Sequence, residues 1–102
     1  MITHVVLLRV KEATPKADVD RVFAALAALE GRIPGLLSFS GGPYASPEAM
    51  NKGFTHGFVM TFADAAARDG YLPHPEHEEV KGRVLAILDG GRDGVVAFDY
   101  AS

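Results

Sequence analysis

From Ile2 to Val10, apolar side chains fall on both parities of an extended chain. Ile2, His4, Val6, Leu8 and Val10 share one face, while Val5 and Leu7 share the other, flanked by Thr3 and Arg9. A strand apolar on both faces is one that is covered on both. Thr14-Pro15 then reads as a helix start, with threonine as N-cap and proline at the first helical position. Val19, Val22, Phe23, Leu26, Leu29 and Ile33 recur at three- and four-residue spacing, the stripe of an amphipathic helix that Gly31 and Pro34-Gly35 end. A second strand is expected at about Leu36 to Gly41, and the Gly-, Pro-, Ser- and Asn-rich stretch from Gly42 to Gly53 reads as a long exposed loop.

Phe54 to Phe62 alternates large apolar groups with smaller ones, as a third strand should, and places His56 on the face of Phe54, Phe58, Met60 and Phe62. Asp64 caps a short helix through Arg68, which Gly70 stops. A further helix from Pro75 to about Asp89 turns Val80, Val84, Ile87 and Leu88 inward, Gly90-Gly91 closes it, and Val95 to Tyr100 forms the last strand.

The order β-α-β-β-α-β predicts an α+β, ferredoxin-like fold with helices on one face of a four-stranded antiparallel sheet. The length of 102 residues suits a single domain spanning residues 1–102. Nothing in one copy covers the face bearing Val5 and Leu7. A bare apolar sheet face favours aggregation, so a homodimer packing this open face against its twin is the expected solution, giving a dimeric α+β barrel.

Composition narrows the functional classes. A net charge of -3 without a basic face argues against nucleic acid as partner. No apolar run approaches the roughly 18 residues of a membrane-spanning helix, so no membrane partner is expected. The opening MITHVVLLRV reads as a strand rather than a secretory leader. The absence of cysteine removes disulfide and thiolate chemistry, and a cytoplasmic location is expected. Gly41-Gly42 and Gly90-Gly91 read as turns, because neither fits a phosphate-binding pattern, and no G-x-S-x-G elbow offers a serine nucleophile.

Candidate chemistry concentrates in Tyr71-Leu72-Pro73-His74-Pro75-Glu76-His77. A phenol and two imidazoles lie there beside prolines that fix the chain, and unperturbed imidazole titrates near ~6.5. Pro75 preorganises the first helical turn, which puts His74 near the N-cap and His77 inside the turn. His4 lies on the strand face assigned to the helices, so His4 and His77 can meet across a cavity, or satisfy one another in a buried hydrogen bond. His56 among Phe and Met reads as a core or interface group. His74-x-x-His77 has a spacing that can share a metal, but no carboxylate or cysteine set accompanies it, so no metal is expected. Glu76, Glu78 and Glu79 read as charges favoured by the helix N-terminus.

Four stretches, in this order, resemble the stress-responsive A/B barrel family within the dimeric α+β barrel proteins. They are Ile2 to Leu7, Lys52-Gly53-Phe54-Thr55-His56-Gly57-Phe58, Tyr71 to His77, and the closing Val96-Ala97-Phe98-Asp99-Tyr100. The resemblance covers essentially the whole chain and implies a functionally mixed set of expectations. Its olivetolic acid cyclase-type members close a polyketide ring with histidine and tyrosine as acid and base, without cofactor or metal. Their first-strand histidine matches His4, and their tyrosine and histidine bracketing the proline-bearing turn match Tyr71 and His77. A further pocket tyrosine falls at about Leu26, where the hydroxyl is lost.

These readings give a mainly apolar pocket in each subunit for a small aromatic or polyketide-like molecule. Catalytic roles go to His4, Tyr71 and His77, and ligand-binding roles to Val6, Phe23, Leu26 and His74. His77 is expected to be the general base, because the helix N-terminus disfavours the imidazolium. The alternatives are a non-catalytic stress-responsive oligomer and a cofactor-free monooxygenase of the antibiotic-biosynthesis type.

Overall fold

The computed structural model describes residues 1–102. Strand β1 (Ile2–Leu8) leads into helix α1 (Lys16–Ala28), a 3₁₀ turn, β2 (Leu36–Pro43) and β3 (His56–Phe62). Helices α2 (Ala65–Tyr71) and α3 (Pro75–Ala86), a second 3₁₀ turn and β4 (Val95–Ala101) complete the chain. The four strands form one sheet in the order β2-β3-β1-β4, and every neighbouring pair is antiparallel. This is the ferredoxin-like arrangement expected from the order of elements, with one extra short helix.

The register explains the two faces of β1. His4 stands opposite Met60 of β3 and Asp99 of β4, and Val6 opposite Phe58 and Ala97. Directly opposed residues point the same way from a pleated sheet, so these side chains all face the helices. Ile2, Val6, Leu8, Phe58, Met60 and Phe62 are buried there beneath Val19, Val22 and Leu26 of α1 and Val80 and Val84 of α3. On the reverse face, Leu7, Val59, Val96, Phe98 and Tyr100 are exposed, with Phe98 at 62% and Tyr100 at 50%. No element of the chain lies over them. No helix is long and apolar enough to cross a membrane.

Element ends depart from the sequence expectation in several places, among them the start of β3 at His56 rather than Phe54. Pro15, not Thr14, is the N-cap of α1, and no side chain caps the helix. Thr14 instead donates its backbone N–H to Lys11. Strand β2 runs on through Gly41 and Gly42 to Pro43, so this glycine pair is strand rather than turn. Gly41 is required by packing: a Cβ there would lie 2.7 Å from Phe58 Cβ, 2.9 Å from the Gly57 carbonyl oxygen and 2.9 Å from Phe23. Helix α2 passes through Gly70 to Tyr71, and its Asp64 cap accepts the Ala67 N–H at 2.8 Å. Helix α3 stops at Ala86. Gly90 and Gly91, at φ 80 and 58, make the left-handed turn ahead of β4 that the sequence suggests.

Candidate functional site

A cavity of about 660 Å³ lies between the helices and the β1–β4 half of the sheet. Its floor includes Val6 and Leu8 of β1 with Val95 and Ala97 of β4, and Leu26, Val84 and Leu85 contribute from the helices. Three polar rings reach it: His4, Tyr71 and His77.

The α2–α3 corner brings Tyr71 and His77 together. Tyr71 ends α2, and its carbonyl accepts the His74 N–H at 3.0 Å, which folds the chain back into α3. The Tyr71 and His77 rings consequently lie with centroids 4.0 Å apart, and Tyr71 is 6.1 Å from His4. His77 Nδ1 lies 2.9 Å from the Leu72 carbonyl oxygen. A carbonyl can only accept, so Nδ1 carries the proton and Nε2 holds the lone pair whenever the ring is neutral. Burial pulls the His77 pKa below the ordinary imidazole value. The Leu72 hydrogen bond and nearby Glu78 oppose this, and Lys81 and His4 add to it. Desolvation is therefore the main cause of the neutral ring, a different origin from the helix N-terminus expected from sequence.

Tyr71 is almost fully buried, and burial raises its hydroxyl pKa well above the usual range. It stays a phenol, a donor rather than a base, at any ordinary pH. Its hydroxyl forms no hydrogen bond within the chain, yet no walled-off side-chain polar atom lacks a partner. The hydroxyl is thus open to the cavity.

His4 does not bond to His77. Its Nδ1 pairs with Asp99 Oδ1 at 2.5 Å, directly across the β1–β4 register, and Asp99 Oδ2 accepts from Arg68 Nη1 at 2.8 Å. Desolvation pushes the Asp99 pKa up, but the hydrogen bonds from His4 and Arg68 outweigh it and hold the carboxyl below its ordinary value. Asp99 stays ionised and fixes the His4 ring, leaving Nε2 as the nitrogen not engaged within the chain.

Val6 and Leu26 line the cavity as expected, but Phe23 and His74 do not. Phe23 packs on Phe39, His56 and Phe58 over the β2–β3 half of the sheet. The apolar stripe of α1 is wider than the cavity, so its Phe23 edge serves the core and its Leu26 edge the pocket. The His74 ring turns back on its own helix, where Nδ1 accepts the Glu76 N–H at 3.1 Å. That makes it a cap rather than a ligand contact, and it shares no focus with His77. His56 bonds to its neighbour Thr55 at 2.9 Å and also stands outside the cavity. Asp99 and Arg68 escaped the sequence reading. Only the β1–β4 register, which needs the sheet order, shows that Asp99 faces His4.

The family model described as Stress responsive A/B Barrel Domain matches residues 2–102. A stress-response A/B barrel domain-containing protein of Arabidopsis thaliana is 34% identical over 90 residues, covering 84% of this chain and 76% of the relative. A dimeric ferredoxin-like protein of unknown function from Jannaschia sp. CCS1 superposes with a TM-score of 0.84 at 32% identity, covering 99% of this chain and 98% of that one. The hydroxynitrile lyase of Passiflora edulis shares the fold, with a TM-score of 0.86 at 22% identity over 97% of this chain and 90% of its own.

Proposed function

Since the chain belongs to the stress responsive A/B barrel domain family, we propose that it is a one-domain homodimer whose subunits each perform acid/base chemistry on a small aromatic or polyketide-like molecule. The observation that carries this reading is the convergence on one cavity of an imidazole with a free Nε2 and a phenol with a free hydroxyl. Histidine 77 is the general base. Its Nε2 takes a proton from a carbon next to a carbonyl, and the resulting carbanion attacks a second carbonyl of the same molecule in an aldol-type closure. The Tyr71 hydroxyl donates a hydrogen bond to the oxyanion that forms, and a buried donor is worth most where water is excluded. His4, held by Asp99, orients a second substrate oxygen through Nε2. Val6 and Leu26 supply apolar wall. This chemistry requires no metal or cofactor, and a chelator leaves it intact.

Two features support the dimer. The open face presents Leu7, Val59, Val96, Phe98 and Tyr100 to solvent, and the Jannaschia neighbour is dimeric. A lyase reaction uses the same groups: His77 removes a hydroxyl proton, the adjacent carbon–carbon bond breaks to leave a carbonyl, and the departing carbanion takes the proton back from His77. The fold shared with the hydroxynitrile lyase motivates that variant.

A thermal-shift screen of aromatic ketones and phenols, repeated on His4→Ala and His77→Ala, tests the proposal. Ligands that stabilise the parent should lose most of their effect on both variants. Equal shifts on all three proteins overturn the assignment of the cavity. An unligandable cavity in a thermally resistant oligomer would point to a non-catalytic stress-responsive role, and oxygen consumption with a phenol to a cofactor-free monooxygenase.

A further inference from the structure

The cavity is apolar within and cationic at its mouth. Two of its lining residues carry full charges, Lys81 on α3 and Arg92 in the 3₁₀ turn before β4, and both are exposed. No Asp or Glu lines it, although the chain as a whole carries a net charge of -3. Behind the wall, the Asp99 carboxylate is already engaged by Arg68 and by the His4 ring.

The two cations differ in what they already hold. Lys81 Nζ shares Glu78 Oε1 at 3.1 Å, so its charge is partly spent. Arg9 lies over the Phe54 ring, and Arg21, Arg32, Arg68 and Arg83 pair with carboxylates. Arg92 does neither. A guanidinium without a partner at the rim of an apolar cavity matches a carboxylate, which it can bind through two parallel hydrogen bonds. With Glu78 beside Lys81, the mouth offers about one uncompensated positive charge, which suits a monoanion better than a phosphate dianion.

We propose that the cavity selects an amphipathic monocarboxylate, its aromatic or acyl body against Val6, Leu26 and Val84 and its carboxylate at Arg92 and Lys81. This rests on the acid/base reading of the same cavity and names the substrate class for it. A carboxylate anchored at the mouth leaves the body of the molecule in the cavity that Tyr71 and His77 also line. The exposed lysine and arginine also draw the anion in and make its capture depend on salt.

The test is an NMR titration of the purified protein at low ionic strength with two probes of equal shape, 4-butylbenzoate and 4-butylbenzamide. The benzoate should bind about tenfold tighter than the amide, the scale of one charge-assisted pair at a partly exposed site. In Arg92→Gln the preference should shrink to about twofold or less, and in Arg92→Gln/Lys81→Gln it should vanish, with resonances of His77 and Tyr71 still shifting on binding. Equal affinity of the two probes for the parent overturns the inference and leaves the cavity reading standing. A preference that persists in the double variant also overturns it. Binding of neither probe removes both readings together.

Discussion

The Leu72 carbonyl accepts a hydrogen bond from His77 Nδ1 at 2.9 Å, and this contact decides which nitrogen of the ring can act as a base. It also ties the ring orientation to the α2–α3 corner, since Leu72 is the C-cap of α2 and His77 lies in the first turn of α3. Long-range ¹H–¹⁵N correlation at about neutral pH should therefore find His77 neutral, with a protonated Nδ1 and a bare Nε2. Observation of the opposite tautomer would remove His77 as the base.

Stability should fall on mild acidification. Burial holds the His77 pKa below its ordinary value, and burial does the same at His56 despite the opposing charge of Asp20. Across the window from about 6.5 downward, the unfolded chain binds more protons than the folded one. The stabilisation is thus complete above the unfolded-state value and is lost as pH falls through it toward the folded values. Urea midpoints should decline from about pH 7.5 to about pH 5.5, and His77→Gln should flatten part of that decline. Asp99 acts in a separate, more acidic window, because its pKa is depressed and its contribution disappears only as its carboxylate is protonated. A midpoint that rises on acidification to about pH 5.5 would contradict the assignment.

Asp99→Ala should cost about 1–3 kcal/mol, because it leaves the buried His4 Nδ1 without its partner. The loss should be accompanied by broadening of the His4 ring resonances, as the restraint across the β1–β4 register is gone. A fully stable variant with an unchanged His4 signal would show that the pair restrains nothing.

The open sheet face predicts an oligomer. Sedimentation velocity at micromolar concentration should give twice the 10.9 kDa chain mass. Phe98→Asp, at a position 62% exposed in one copy, should shift the population to monomer with the fold retained by circular dichroism. A parent that sediments as a monomer would refute the dimer directly.

Much of the fold was legible in the pattern of residues. The two-sided apolar strand from Ile2, the 3.6-residue stripe of α1 and the alternation ending at Phe62 give the element order, and from it the sheet topology. Local periodicity could not separate the Phe23 edge of α1 from the Leu26 edge, because both satisfy the same stripe and only the packing partners differ. His74 and His77 look alike in sequence as well, yet one ring turns to its own helix N-terminus and the other toward the cavity. Asp99 reads as a polar residue in a closing strand until the β1–β4 register sets it opposite His4. The candidate site was thus half visible: its local cluster could be read, and its long-range partners could not.

The proposal that His77 is a general base is tested most directly by proton exchange on a simple substrate. Acetophenone in D₂O carries slowly exchanging hydrogens next to its carbonyl, and a positioned base accelerates their replacement. The parent protein should speed deuterium incorporation, measured by NMR, and His77→Gln should lose about 10²–10⁴ of that acceleration while remaining folded and dimeric. Equal acceleration by the parent and His77→Gln, or none by either while acetophenone is bound in the cavity, would contradict it.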